Sequence, residues 1–486
     1  MLTQKSHLKP FPFLIAPSHS LIKVLTHDHS HRIFCAILTG FWAIYVLLGS
    51  LLFPLQEWDE SRHIQNALEM LHTGHFWQLT FNHSPDTWNL KPLPGIWVQA
   101  AASWALGKEI WAFRLPSAVS LLIFVLLLYH WLKDHLARHQ GFWICTMLLT
   151  SKGLAGWHMG WTADMDAPLL MCMTSVLYCG HQILRSALSS TIPWIHAWGI
   201  FIGLGLGFGF KGWAVLQVLP PLCFLVYFYL SIHTKLIWPI LCVGLFLLVC
   251  LLGAAFYFNA LPWLERSLSV DILHRWTQPL DGNGVFGLQN NLLWLPKQWQ
   301  LLFFPWIYVL LFSLLLLSFF QKANLVKQWK LWASKPARLY FLVFITSNLV
   351  AILSSHTKTF WYAVPSGVFL MTAMGLLIFQ VCNPSYLTQF VALLGVCLCI
   401  TLVNHFRKTL RNFSNQNTEI IFAKQTKSEI KDFKKMCFVG HPSPKQRVAF
   451  SLVYSTEVFT FPAAQSCEWV VNLETQSVSK KLSQDN

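Results

Sequence analysis

Charge is what this chain has least of. Only 11% of its 486 residues are Asp, Glu, Lys or Arg, against 55% hydrophobic, whereas soluble domains carry about a quarter charged residues. That shortage excludes an ordinary soluble domain and, with a positive mean hydropathy, points to a polytopic membrane protein. Acidic residues are the scarcer sign, 20 against 35 basic, for a formal net charge of +15. The basic residues are scattered over the gaps between apolar runs, where anionic headgroups are the simpler counterions, so nucleic-acid binding is set aside. Internal repeats and low-complexity stretches are missing, as are CxxC and Cys/His zinc spacings. Most of the twelve cysteines, among them Cys172, Cys179, Cys223, Cys242, Cys250, Cys397 and Cys399, fall inside apolar runs as small packing residues. Cys437 and Cys467 are the two in the polar tail, and an oxidising compartment would let them pair. No small-residue cleavage pattern follows Leu55, so the first apolar run reads as a retained helix and not as a removable signal.

What is present is a succession of apolar runs. A helical crossing needs roughly 17–25 such residues, and about eleven runs qualify or nearly so. They lie near 33–55, 112–132, 142–158, 166–184, 195–210, 212–231, 236–258, 299–320, 339–353, 359–380 and 386–404, and 11 to 13 transmembrane helices are expected. Basic flanks stay cytoplasmic. Lys5, Lys9, Lys23, Lys133, Arg138, Arg185, Lys235 and the cluster Lys322, Lys327, Lys330, Lys335 and Arg338 all fall on one side of such a succession. The gaps holding Asp59, Asp164, Lys211, Glu265 and Lys358 fall on the other, extracytoplasmic side.

The expected organisation is a cytoplasmic tail over 1–32, a transmembrane domain over 33–404 and an extracytoplasmic α/β domain over 405–486. Two outer loops are long. The first, 56–111, contains a helical stretch, Ser61–His72, in which Ile64, Leu68 and Leu71 recur at helical spacing before Thr73-Gly74 stops it. A second apolar stretch, Ile96–Leu106, is too short to cross, and tryptophans 58, 77, 88, 97, 104 and 111 suit headgroup level. The second loop, 259–298, carries Glu265, Arg266, Asp271, His274, Arg275 and Asp281; it reads equally as a lid and as a solvated connector. In the tail, Arg447–Tyr454 and Glu468–Leu473 read as strands and Ser428–Lys435 as a helix.

Polar residues gather at the outer loop ends. Asp59 and Glu60 follow the first run directly, and carboxylates at a membrane face are functional candidates by default. The plainer reading makes them first-turn residues of the following helix, placed to suit its dipole. Lys91 and Arg114 stand beside prolines that stiffen the backbone, and a lysine so held can bind a phosphate as a point charge. Asp164 and Asp166 add a second pair of carboxylates, and Lys211 and Lys358 close later outer gaps. Cations at Lys91, Arg114, Lys211, Arg275 and Lys358 suit a phosphate or pyrophosphate group; the carboxylates suit a sugar hydroxyl, an amine or a metal.

The ordered set Asp59-Glu60-x-Arg62, Met70-Leu71-x-Thr73-Gly74, Lys91-Pro92-Leu93-Pro94 and Arg114-Leu115-Pro116-Ser117 resembles the opening of the bacterial lipid A aminoarabinose transferase family, related to the protein O-mannosyltransferases. Asp166-Ala167-Pro168-Leu169, Lys211-Gly212 and Ser354–Lys358 resemble its later landmarks, so the likeness covers roughly 33–380. The resemblance implies a C-type glycosyltransferase fold, a polyprenyl-phosphate sugar as donor, and lipid A or another envelope acceptor on the extracytoplasmic side of a bacterial inner membrane. It implies Asp59 as the central catalytic carboxylate, supported by Glu60 and Arg62, with Asp166 organising the pocket. Lys91, Lys211 and Arg275 would bind phosphate, and Arg114, His274 and Lys358 complete the substrate-binding set. Leu90 stands where the family has an acidic residue, and Leu93 replaces a proline. The missing carboxylate weakens a divalent-metal site there, for which Asp86 or His83 would be substitutes. A protein O-mannosyltransferase-like enzyme is the alternative within the class, and a transporter or flippase is the rival outside it.

Overall fold

The structure, a computed structural model, describes residues 29–57, 59–186, 194–232, 261–278, 288–333, 336–382, 384–414, 418–431, 436–439, 443–454 and 469–480. The expected run at 236–258, the turn around Asp281 and Cys467 lie outside them.

Apolar runs become helices because a helix satisfies its own backbone in lipid. Among the described residues six helices are long and apolar enough to cross a membrane, or seven counting a bent pair as one. They begin with α1 (His31–Leu52). The first outer loop folds as α2 (Asp59–Thr73), a two-stranded hairpin of β1 (Thr80–Phe81) and β2 (Ser84–Pro85), and α3 (Leu93–Leu106). The helix read from Ser61 to His72 is therefore present, ended by Gly74 at φ +71°. Trp77, Trp88 and Trp104 of this loop are exposed, as headgroup-level residues would be.

Next come α4 (Ile110–Leu132), α5 (Arg138–Leu149), the single turn α6 (Lys152–Ala155) and α7 (Asp166–Ser186). The run at 142–158 is thus not one crossing: α5 stops at Leu149, and a non-helical loop over 156–165 leads into α7. Helices α8 (Trp194–Lys211) and α9 (Leu219–Ile232) are joined by a 3₁₀ segment, Gly212–Val218. By composition they pass as one 35-residue span, but the chain doubles back between them. Gly212 has φ +57°, and Val215 Cγ2 lies 2.6 Å from a Cβ built on Gly207, a contact impossible eight residues along a straight helix. Lys211 therefore sits at a turn, as the sequence suggested.

Helix α10 (Leu261–Leu268) is followed by π-type and α-turns to Thr277. Then α11 (Leu288–Leu302) and α12 (Trp306–Phe320) form the bent pair, meeting at 109° across Phe303–Pro305. Helices α13 (Lys322–Ala333), α14 (Pro336–Ser354), α15 (Ala363–Val381) and α16 (Pro384–Ser414) complete the bundle. Its core runs from Leu38 and Phe124 through Met173 and Trp306 to Phe369.

The tail is α/β but differs in detail from the sequence reading. It contains α17 (Thr418–Glu429), β3 (Met436–Val439), α18 (Pro444–Tyr454), β4 (Trp469–Asn472) and β5 (Ser477–Lys480), and α16 runs unbroken through the expected boundary at 405. The stretch 447–454 is a helix and not a strand: Ala449, Phe450 and Tyr454 pack into the core of the tail, and Val448 points away from them to the first outer loop. Of the helix expected at Ser428–Lys435, Ser428 and Glu429 close α17 and residues 430–431 are non-helical, while 432–435 lie outside the described residues. In the three-stranded sheet, β4 pairs parallel with β3 and antiparallel with β5. Cys437 is disulfide-bonded. This small domain rests on the first outer loop: Val448 joins the cluster of Leu55, Ile64 and Ile96, Lys445 N–H donates to Glu57 at 3.2 Å and Arg447 donates to Asn82 at 2.9 Å.

Candidate active site

Helix α2 is the platform. Six of its polar residues, Glu60, Ser61, His63, Gln65, Asn66 and Glu69, are buried, a setting in which polar groups need partners. Glu60 accepts two bonds from Arg114, at 2.6 and 2.9 Å, and further bonds from the Gln56 and Ala163 backbone N–H groups at 2.8 and 3.0 Å. Arg114 spends its remaining donors on the carbonyls of Ser50, Phe53 and Pro54. Both side chains are buried to about 1% exposure. Glu60, expected as a catalytic carboxylate, and Arg114, expected as a substrate-binding cation, are thus engaged with each other and with the backbone around them. With every charge-bearing atom occupied, the pair ties α1, α2, α4 and the 156–165 loop together.

Arg62, expected in the substrate-binding set, is engaged in the same way. It donates twice to Asp86, at 2.8 and 2.6 Å, and its guanidinium lies over the rings of Phe81 and Trp88. Asp86 also accepts from Asn66 and from the Trp88 and Asn89 backbone. Burial pushes the Asp86 carboxyl up, but Arg62 and these amides outweigh it and hold it below the usual range. Asp86, one of the two expected substitutes for the acidic residue missing at Leu90, is thus paired with Arg62 and bonded to Asn66, Trp88 and Asn89. Asn89, bonded to Asn66 at 2.8 Å, carries the network to the backbone of Lys91 at 3.2 Å. The result is a fixed Lys91 backbone.

The Lys-Pro turn packs on the α8–α9 turn: a Cβ on Gly212 would meet Pro92 Cγ at 3.6 Å, and one on Gly209 would meet Pro94 Cβ at 3.2 Å. Lys91 and Lys211 are thereby brought to one place from turns far apart in sequence. Lys211 pairs with Asp166 at the start of α7. Arg275 pairs with Asp271 at 3.2 Å and donates to the Tyr362 hydroxyl at 2.9 Å, and Tyr362 lies within electrostatic reach of Lys211. The loop over 355–358 clips onto this corner through Thr357 N–H to the Arg275 carbonyl, 3.0 Å. Lys358 is buried and donates to the Ser355 carbonyl of its own loop; burial lowers its pKa. No described contact joins His274, half-buried on the same turn, to the other site residues.

Asp59 occupies the first turn of α2, where a carboxylate suits the helix dipole, and it also meets two residues the sequence reading had not singled out as a pair. Donor atoms of Asp59, His158 and Asp164 lie within 4.8 Å of one another, a spacing that a proton on His158 or a divalent cation could bridge. His158 Nδ1 is 3.4 Å from Asp164 Oδ2, and its ring stacks on Trp361 at 3.6 Å between centroids. Asp164 also accepts from Thr162 at 2.6 Å, and His63 approaches its other oxygen at 4.0 Å. Burial works against a charged His158, but Asp164, Asp166 and Asp59 outweigh it and raise its pKa. Burial likewise pushes Asp164 up, and His158 beside it reverses the sign, holding the carboxyl far below its ordinary range. His63 is kept below its usual value by burial. The only sequence signal for His158 was its place in a glycine-flanked outer gap, Gly156 to Gly160; its left-handed backbone, φ +63°, belongs to the fold.

These elements, an apolar bundle with acids and cations gathered at one end under a helical outer loop, define a membrane protein of the C-type glycosyltransferase fold. The chain is similar within that class to the aminoarabinose transferases. Superposed on ArnT from Cupriavidus metallidurans bound to undecaprenyl phosphate, it gives a TM-score of 0.60 at 16% identity, covering 87% of this chain and 85% of that one. The apo state of the same protein gives 0.56. Residues 90–255 match the family described as dolichyl-phosphate-mannose-protein mannosyltransferase. The undecaprenyl phosphate-alpha-4-amino-4-deoxy-L-arabinose arabinosyl transferase of Pectobacterium atrosepticum is 31% identical over 193 residues, 36% of this chain and 33% of that one. Its namesake numbered 2 from Proteus mirabilis is 26% identical over 221 residues, 44% and 37%. The matched segment spans about a third of these relatives' length.

Proposed function

We propose that this chain is an integral-membrane glycosyltransferase that moves a sugar, aminoarabinose or a hexose, from a polyprenyl-phosphate donor to lipid A or another envelope acceptor at the extracytoplasmic face. The observation that carries the reading is the convergence of Asp59 with Lys91, Lys211 and Arg275 at one end of the bundle; the names of the relatives support the donor class.

In this reading the bond between the anomeric carbon and the phosphate oxygen breaks while an acceptor oxygen bonds to that carbon. Lys91, Lys211 and Arg275, with the Tyr362 hydroxyl, neutralise the charge that develops on the departing phosphate. Asp59 takes the proton of an acceptor hydroxyl; where the acceptor is a phosphate, already ionised, Asp59 orients the sugar or its amine instead. Asp166 holds Lys211 in place. We read the Asp59, His158 and Asp164 cluster as closed by the His158 proton. A divalent cation bound by the same three residues would add positive charge beside Asp59, and no step here depends on one.

Mass spectrometry of lipid A and of envelope proteins, from cells with and without the chain, tests the reading. A mass increment of one sugar that requires both the chain and Asp59 is expected. Unchanged lipid and protein masses in cells that express it would overturn it.

A further inference from the structure

The transferase reading uses one end of the bundle. At the opposite end, a cavity of about 20 Å³ lies between the C-terminal turns of α4, α7 and α15 and the N-terminal turns of α14. A water molecule needs roughly 10–15 Å³ of such space, so the cavity takes one compact guest and excludes a sugar or an acyl chain.

Two of the side chains that line it are polar and nearly dry. His181 of α7 is 1% exposed and Trp131 of α4 is 4% exposed. Neither ring nitrogen of His181, nor Trp131 Nε1, has a hydrogen-bond partner among the described residues. The two rings lie side by side, 5.4 Å between centroids. Buried polar atoms are almost always satisfied, by protein or by an ordered guest. Three such nitrogens on the wall of one cavity therefore point to a ligand.

The sign of the lining selects the chemistry of that ligand. Arg338 of α14 brings a guanidinium to the wall, and no carboxylate lines it among the described residues. Asp134, within electrostatic reach of His181, is held by Arg185 at 2.6 Å and by Gln182 at 3.0 Å. The Thr372 hydroxyl of α15 donates to the Val368 carbonyl at 2.8 Å, and the Gln380 amide to the His135 carbonyl at 3.4 Å. The cavity is thus faced by a guanidinium, by an indole N–H that can only donate, and by an imidazole that donates from at least one nitrogen. A positively signed wall of convergent N–H groups favours an anion over a neutral guest.

We infer that the cavity between Trp131, His181 and Arg338 is a binding site for one small monovalent anion, chloride or another halide, which ties together the ends of α4, α7, α14 and α15 remote from Asp59. The site is independent of the transferase reading, and no step of sugar transfer passes through it.

Bromide is the probe, because it substitutes for chloride and scatters X-rays anomalously at its absorption edge. Crystals of the full chain grown in sodium bromide should show an anomalous peak in this cavity, between Trp131 Nε1, His181 and Arg338. In detergent at constant ionic strength, replacing gluconate by bromide should raise the melting temperature of the wild type with the logarithm of bromide concentration once the site fills. Arg338→Gln removes the charge and should weaken the apparent bromide affinity about tenfold, the order of one charge-assisted hydrogen bond. His181→Leu replaces the two unmatched nitrogens with carbon; it should melt no lower than the wild type in gluconate and gain less from bromide. Density for an ordered water with no anomalous peak overturns the inference, because the guest is then neutral. An equal bromide response in wild type, Arg338→Gln and His181→Leu also overturns it, because the salt then acts elsewhere on the protein. The crystal measurement decides the matter alone if either variant fails to fold.

Discussion

Arg114 and Glu60, 54 positions apart, form a bidentate ion pair that is nearly free of solvent, at 2.6 and 2.9 Å. Removing one partner of such a pair strands a buried charge, which costs about 3–5 kcal/mol, whereas replacing both by apolar residues costs far less. Glu60→Gln should therefore lower the thermal midpoint in detergent and the yield of folded protein. The double change Glu60→Leu with Arg114→Met should recover part of the loss. A normal melting curve for Glu60→Gln would contradict the structural role given to the pair.

Asp59 presents the opposite case. It is half-buried and close to His158 and Asp164, so its loss removes a chemical group and little packing. Asp59→Asn should reduce transfer by about 10²–10⁴-fold while the thermal midpoint stays within the scatter of surface substitutions. Measuring both on the same membrane preparation separates catalysis from folding.

The contrast between these neighbours shows what was legible beforehand. The motif order placed α2, the Lys-Pro turn and the Lys211 turn correctly, because local spacing and prolines encode them. It could not distinguish Asp59 from Glu60: adjacent acids point about 100° apart on a helix, and which one meets an arginine depends on where α4 packs. For the same reason the pairing of Arg62 with Asp86, 24 positions away, was not readable, and His158 had no motif of its own. Helix-strand ambiguity in the tail has a simpler cause. Val448, Ala449, Phe450 and Tyr454 sit in a short, mixed segment where periods of 2 and 3.6 overlap.

Lys91 is the cation most directly set by the outer loop, through Asn89 and Asn66. Lys91→Ala should raise the donor KM about tenfold, the order of one charge-assisted contact, with the acceptor KM unchanged. Asn89→Ala should reproduce a fraction of that effect without touching a charge, since it loosens the lysine's backbone only. Equal donor KM values for wild type and Lys91→Ala would remove the lysine from the phosphate site.

Lys358 gives a testable alkaline limb. Burial holds its pKa below that of an ordinary lysine, so the folded protein loses this charge at a lower pH than an exposed lysine would. If the charge serves the donor, the donor KM should rise as pH climbs through that depressed value. Lys358→Arg, charged throughout, should shift the rise upward. A limb that is identical in both proteins would assign it to another group.

The His158–Asp164 pair fixes a pH window for stability. His158 has its folded pKa raised above 6.5, so its contribution is complete below 6.5 and is lost as pH rises through the folded value. Asp164 has its folded pKa depressed below 3.8, so its contribution is complete above 3.8 and is lost only in stronger acid. Between those limits the pair is fully stabilising, and the melting temperature should fall on the alkaline side. His158→Asn with Asp164→Asn should flatten that slope relative to wild type. The same samples separate the two ways of closing the cluster. With a proton on His158, EDTA leaves both the alkaline slope and transfer unchanged. With a divalent cation, EDTA lowers stability at pH 8 and added metal restores it, because deprotonated His158 would then be a ligand.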